Sequence, residues 1–238
     1  MTIPSTLQDP LVAAALERMF AAAEHDDAAE RESLARRQAD SGPVTVQEWA
    51  DAAAEIYMPI SAAGGGLLYS LIRAARPRTV VEFGTSFGIS TLYLAAAVRD
   101  NGFGRVVTTE LSSSKVAAAR RTFEETGLDD IITVLEGDAL ETLPAYLGEL
   151  DGAEGTDGTA ESTGEGSVGL LLLDGWKNLY LPILHLLEPR MAPGALVVAD
   201  DTDMESVQPY LAHIREPEHG YQSTSFPVED GMEISCRL

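Results

Sequence analysis

Val168-Gly169-Leu170-Leu171-Leu172-Leu173-Asp174-Gly175-Trp176-Lys177 is an apolar run that stops at an acid, and Gly194-Ala195-Leu196-Val197-Val198-Ala199-Asp200-Asp201 repeats the pattern further on. Neither run alternates as a strand with one wet face would, so both read as parallel strands covered on both sides. In an open α/β sheet, ligands bind beyond the carboxyl ends of such strands. Asp174, Asp200, Asp201 and Lys177 would meet there. Three carboxylates are oxygen-only donors, suited to a hard divalent ion such as Mg²⁺, Ca²⁺ or Mn²⁺. Lys177 could then serve as a base. A surface lysine neutralising Asp174 across a turn would look the same in isolation, and the second acidic pair favours a site.

Lys177 stands out because the chain has only two lysines, Lys115 and Lys177, and otherwise uses arginine for positive charge. Arginine stays protonated, whereas a buried lysine can lose its proton, so proton transfer needs lysine.

The 238 residues carry 45% apolar and 23% charged residues, ordinary for one α/β domain with a sizeable core. No apolar run reaches the length of a membrane span, and Met1-Thr2-Ile3-Pro4-Ser5-Thr6 lacks a basic, then apolar, leader, so the cytoplasm is the expected address. The formal charge of −22 repels phosphate backbones and anionic membranes, which argues against nucleic acid and membrane partners. The single cysteine, Cys236, permits no internal disulfide and reads as a small core residue. His25, His185, His213 and His219 show no metal-ligand spacing and receive no role.

Residues 1–76 are Ala-rich with helical spacing, for example Leu11, Ala14, Leu16 and Met19, and predict three or four helices for core or dimer packing. Ser41-Gly42-Pro43 breaks the run, and Thr45 with Glu48 reads as a capping box. Residues 77–238 form the second part of the same domain. Thr79–Phe83, Arg105–Thr109 and Ile131–Leu135 are strands separated by helices, a βαβαβ half of a doubly wound, Rossmann-like sheet. Residues 151–166, rich in Gly, Thr, Ser and Glu, predict a mobile acidic surface loop. Tyr221–Phe226 and Met232–Cys236, joined at Glu229-Asp230-Gly231, predict a terminal antiparallel hairpin.

Glu82-Phe83-Gly84-Thr85-Ser86-Phe87-Gly88 follows the first strand and enters a helix, where glycines permit close backbone approach and the helix offers free N–H groups. A dinucleotide fingerprint needs a glycine where Ser86 stands, which argues against a nicotinamide-dependent dehydrogenase. Glu110, after the second strand, is placed to accept hydrogen bonds from ribose hydroxyls, and Asp138-Ala139 after the third could flank an adenine edge.

In this order the residues resemble the S-adenosylmethionine-dependent methyltransferases, and among them the metal-dependent small-molecule O-methyltransferases that include the catechol and caffeoyl-CoA enzymes. The resemblance spans roughly residues 57–238. It implies a cofactor site of Met58 and Ile60 from a lid, Glu82, Gly84, Thr85, Ser86, Gly88 and Ser90 from the Gly-rich motif, and Glu110, Leu111, Asp138, Ala139, Asp174 and Trp176. It implies that Asp174-x-Trp176-Lys177-x-x-Tyr180 supplies a metal ligand and the catalytic lysine, that Asp200 and Asp201 complete the metal site, and that Glu233 orients a second substrate hydroxyl. The implied activity is methyl transfer to a catechol or similar vicinal diol. Two departures stand out. Asp201 replaces the family's asparagine, making the site trianionic, and Gly175 replaces a histidine of some relatives, which would enlarge the pocket. A catalytically silent S-adenosylmethionine-binding protein is the alternative from another class. The acceptor pocket would draw on the leading helices and Met204–Glu218, and a homodimer through those helices is the expected assembly.

Overall fold

The computed structural model describes residues 5–24, 45–153, 167–228 and 230–238. Ser41-Gly42-Pro43, most of the expected 151–166 loop, His25 and Glu229 lie outside them.

Seven strands form one sheet in the order β3-β2-β1-β4-β5-β7-β6. Strands β1 (Thr79–Phe83), β2 (Arg105–Glu110), β3 (Ile132–Glu136), β4 (Leu170–Leu173) and β5 (Leu196–Ala199) are parallel, and the hairpin of β6 (Tyr221–Phe226) and β7 (Met232–Arg237) adds antiparallel to β5. This is the expected Rossmann-like sheet with a terminal hairpin. β1 and β4 are buried at every residue, which is why their sequences do not alternate.

Helices α1 (Pro10–Glu24), α2 (Val46–Ala52) and α3 (Ala62–Ala75) precede β1, while α4 (Ile89–Asn101), α5 (Ser113–Thr126), α6 (Ala139–Ala153), α7 (Tyr180–Leu187) and α8 (Gln208–Ile214) link the strands. Thr45 and Glu48 form the expected capping box, with Glu48 accepting from the Thr45 N–H at 2.8 Å and Thr45 Oγ1 accepting from the Glu48 N–H at 3.3 Å. The apolar face of α1 (Val12, Ala15, Leu16, Met19) joins Ile60, Leu68 and Leu92 in the core on one side of the sheet. That face, expected to serve core or dimer packing, is therefore used within the chain. The other core lies under α6, α7 and α8, around Leu143, Tyr180, Leu184 and Tyr210.

The strand order reverses between β1 and β4, which opens a crevice at their carboxyl ends. Register brings the functional loops level: Phe83 pairs with Leu173 and Leu173 with Ala199, so Gly84, Asp174 and Asp200 leave the sheet side by side. Backbone bonds continue the ladder one step, from Asp174 N–H to Phe83 O at 2.9 Å and from Asp200 N–H to Leu173 O at 3.0 Å.

Candidate active site

A cavity of about 990 Å³ opens at these strand ends. Its floor is the Gly-rich turn. Gly84 has φ +108°, and a Cβ there would lie 2.5 Å from the Asp174 carbonyl oxygen, so only glycine lets the turn after β1 meet the loop after β4. Ser86 sits at φ +48°, its N–H donating to Glu110 Oε2 at 2.8 Å and its hydroxyl to the Tyr57 carbonyl at 2.8 Å. Glu110 Oε1 accepts from the Ser112 N–H at 2.8 Å. The carboxylate expected at a ribose is thus held between two loops, with a lone pair left on each oxygen.

Of the cofactor residues expected from sequence, Met58, Ile60, Gly84, Thr85, Ser86, Ser90, Glu110, Leu111, Asp138, Ala139, Asp174 and Trp176 line the cavity. Glu82 and Gly88 do not. Glu82 is fully buried below the turn, accepting from Thr91 Oγ1 and Thr108 Oγ1 at 2.5 Å each. Burial raises its pKa, opposed by the hydroxyls of Ser90, Thr108 and Thr91. It braces the turn from beneath. Gly88 has φ +95°, and a Cβ there would strike the Phe123 ring at 2.7 Å, so its glycine serves helix entry and packing.

Lys177 lines the same cavity. Its Nζ lies 2.8 Å from Asp201 Oδ2 and 3.5 Å from Asp174 Oδ1, and donates to Tyr180 Oη at 2.8 Å. Tyr180, fully buried, donates in turn to the Asp200 carbonyl at 3.2 Å. Burial pulls the lysine pKa down, but Asp174, Asp201 and Asp200 outweigh it and the net shift is upward. In this arrangement Lys177 is an ammonium. The acids around it oppose the loss of the proton that burial alone would favour. Asp174 is pushed well above the usual carboxylate range by burial, with Lys177 opposing and Asp200, Asp201 and Glu82 adding.

The three aspartates stand together without standing at ligand spacing. Among the described residues, only His185, Glu188 and His213 bring three possible ligand atoms of His, Cys, Asp or Glu within 4.8 Å of one another. Asp201 lies at φ +53°, a left-handed conformation that asparagine tolerates well.

Glu233 is not brought to the cavity. It pairs with Ala199 across the sheet and so shares that residue's face, under α8. There, 1% exposed, it accepts from Arg215 Nε and Nη2 at 3.0 and 2.7 Å and from the hydroxyls of Ser223 and Ser225 at 2.5 and 2.6 Å. The role expected of it at a substrate hydroxyl is corrected to that of a structural ion pair. Gly175 does not enlarge the pocket either. A Cβ there would meet the Phe83 ring at 2.6 Å, because that ring fills the space.

Lys115 and Tyr180 were missed as site residues. Lys115 lines the cavity, donates to Ser86 Oγ at 3.2 Å and lies 5.4 Å from the Phe87 ring, which stacks on Tyr57 at 4.1 Å. The signal was present, since both lysines of the chain line one cavity. For Tyr180 the signal was its spacing of three residues from Lys177. Val46, Ala50, Ala53 and Ile56 line the remaining wall with Met204, Glu205 and Ser206, the stretches expected to shape an acceptor pocket.

Residues 81–202 match the sequence profile of a methyltransferase domain, slightly more than half of the chain. The chain belongs to the S-adenosylmethionine-dependent O-methyltransferase family. Catechol O-methyltransferase B of Danio rerio is 28% identical to this methyltransferase over 201 residues, covering 81% of this chain and 67% of the relative. A Mycobacterium tuberculosis protein named as a probable O-methyltransferase is 30% identical over 156 residues, covering 63% of this chain and 60% of the relative. The methyltransferase thus spans about two thirds or less of the length of these two relatives. The O-methyltransferase TomG from Streptomyces achromogenes, solved in complex with SAM, superimposes with a TM-score of 0.61 at 23% identity, covering 86% of this chain and 95% of that one. At that identity the likeness shows the fold. Among the described residues no helix is long and apolar enough to cross a membrane.

Proposed function

We propose that this methyltransferase transfers a methyl group from S-adenosylmethionine to one hydroxyl of a small vicinal diol, of catechol type, with the help of a divalent cation. The observation that carries the reading is the convergence of Asp174, Lys177 and Asp201 in one cavity that the Gly-rich turn and Glu110 also line.

The donor chemistry, carboxylate oxygens alone, suits a hard divalent ion, with Asp174 and Asp201 lining the cavity, Asp200 buried beside it, and the three needing to close from their present spacing. Asp174, Asp200 and Asp201 bring three formal negative charges against the one positive charge of Lys177, a surplus of two. Those carboxylates would hold the ion, and bound there it would supply Lewis acidity toward the acceptor hydroxyl and offset the acids. S-adenosylmethionine would supply an electrophilic methyl group, with Ser86, Glu110, Asp138 and Met58 holding the adenosyl and methionyl parts.

The chain's own part is positioning and proton transfer. Trp176 and Met204 line the cavity and would pack against the acceptor, while the loops after β1 and β4 would hold the two reactants in line, where orientation is a large share of the rate. Tyr180 accepts from Lys177 Nζ and would orient it toward the acceptor oxygen. Nζ would take the acceptor's proton only after releasing its own to solvent, which the resting acids oppose, so compensation of Asp174 and Asp201 is a precondition of turnover. The same observation supports a second reading, a catalytically silent S-adenosylmethionine-binding protein in which the Lys177–Asp201 pair stays closed.

S-adenosylhomocysteine release with a panel of catechols, measured with Mg²⁺ and with EDTA followed by Mg²⁺ add-back, separates the readings. Turnover lost in EDTA and restored by Mg²⁺ supports the proposal. Turnover indifferent to EDTA removes the metal from it, and silence with bound S-adenosylmethionine favours the binding protein.

A further inference from the structure

The end of the sheet remote from the cavity carries a second set of ligating groups. His185 lies in the last turn of α7, Glu188 opens the 3-10 turn that follows, and His213 lies in the last turn of α8. One atom from each lies within 4.8 Å of the other two. His213 Nε2 is 3.8 Å from Glu188 Oε1, buried, and has no hydrogen-bond partner among the described residues. The surroundings fix the set: Tyr221 Oη donates to Glu188 Oε1 at 2.9 Å, Arg237 donates to the Glu188 carbonyl, and the His219 ring stacks on His213 at 3.9 Å with its Nδ1 2.8 Å from the His213 carbonyl.

A histidine near a helix C-terminus is favourable by itself, since the dipole there attracts positive charge. That accounts for each histidine singly. It does not account for a buried imidazole nitrogen that faces a carboxylate at more than hydrogen-bonding distance, with a second imidazole edge-on to its ring at 4.8 Å between centroids.

We propose that His185, Glu188 and His213 form a site for a borderline transition-metal ion of the zinc class, clamping α7 to α8. Two imidazoles and one carboxylate are a zinc donor set, with a water completing the shell. Bonds of about 2.0–2.1 Å at tetrahedral angles place ligand atoms roughly 3.4 Å apart, so side-chain shifts on the order of 1 Å close the observed spacing. Nitrogen donors distinguish this site from the all-oxygen aspartates, because imidazole suits zinc, nickel and cobalt and carboxylates alone suit magnesium. His185 is exposed and gives the ion an entry path.

The test uses the full chain, stripped of metal, held in excess Mg²⁺ and titrated with Co²⁺. The expected result is one equivalent of Co²⁺ bound with visible d–d absorption. His185→Gln and His213→Gln each weaken it by at least roughly tenfold, and Asp174→Asn leaves it intact. His185 is exposed, so its replacement does not threaten folding. The proposal is overturned if no such absorption develops, if it survives both histidine substitutions, or if Asp174→Asn abolishes it.

Discussion

Replacing Lys177 by methionine keeps most of the stem and removes the ammonium. The ammonium lies 2.8 Å from Asp201 Oδ2 and 3.5 Å from Asp174 Oδ1, with Lys177, Asp174 and Asp201 side chains 13%, 15% and 28% exposed. At an effective dielectric of about 20, unit charges at the Lys177–Asp201 separation attract by about 6 kcal/mol. Desolvation cancels much of this, and stripping one partner from a largely buried pair typically costs about 3–5 kcal/mol. The metal-free variant should therefore melt lower, by about 2–4 °C per kcal/mol in a chain of this size. The ammonium and a divalent ion compete for the same oxygens, so Mg²⁺ affinity measured by calorimetry should rise. Only about 1.4 kcal/mol of the released attraction need survive to give a tenfold gain. Turnover should fall by about 10²–10⁴, the usual worth of a proton-transferring side chain, with S-adenosylmethionine affinity little changed. Unaltered Mg²⁺ affinity would refute the competition, and near-normal turnover would remove Lys177 from the chemistry.

Gly84→Ala should abolish S-adenosylmethionine binding and destabilise the chain by about 2–5 kcal/mol, because the added methyl meets the Asp174 carbonyl at 2.5 Å in a backbone conformation alanine avoids; isothermal titration and thermal melts check both. Asp201→Asn removes one negative charge and the 2.8 Å ion-pair partner of Lys177, so it should lower the melting temperature of the metal-free chain and weaken Mg²⁺ binding, read by thermal melts and calorimetry. Tyr180→Phe removes the acceptor for Lys177 and should lower kcat more than it raises KM in steady-state kinetics. Glu233 feels burial, which raises its pKa, but Arg215, Ser223 and Ser225 hold it below the ordinary 4.5. A depressed carboxylate stabilises the fold above the unfolded pKa and loses that contribution as pH falls through the folded one. Glu233→Gln should thus be less stable than the parent at pH 7 by about 2 kcal/mol, with denaturation curves converging below about pH 4.5.

The strands were legible because their residues answer to local rules. Thr79–Phe83 is observed with the ends expected from its apolar run, and the hairpin strands with ends shifted by at most one residue. The turn at Gly84 and the acids at 174, 200 and 201 were legible for the same reason, since strand ends follow from strand identity. Glu233 was not, because its role depends on which face of β7 it occupies, and that follows from pairing with Ala199. His185 and His213 were not, because they come from helices joined through a strand and a loop, with a ligand separation that sequence spacing does not encode.

By itself the sequence determined the order of strands and helices, the glycine turn and the presence of three carboxylates and a lysine at strand ends, because periodicity and backbone conformational limits act over a few residues. Only the tertiary structure decided that Lys177 is held as an ammonium between Asp174 and Asp201, that Glu233 belongs to Arg215, and that both lysines face one cavity. Charge state and partnership depend on burial and on distances of a few ångströms between residues far apart in the chain, and those exist only once the sheet has assembled.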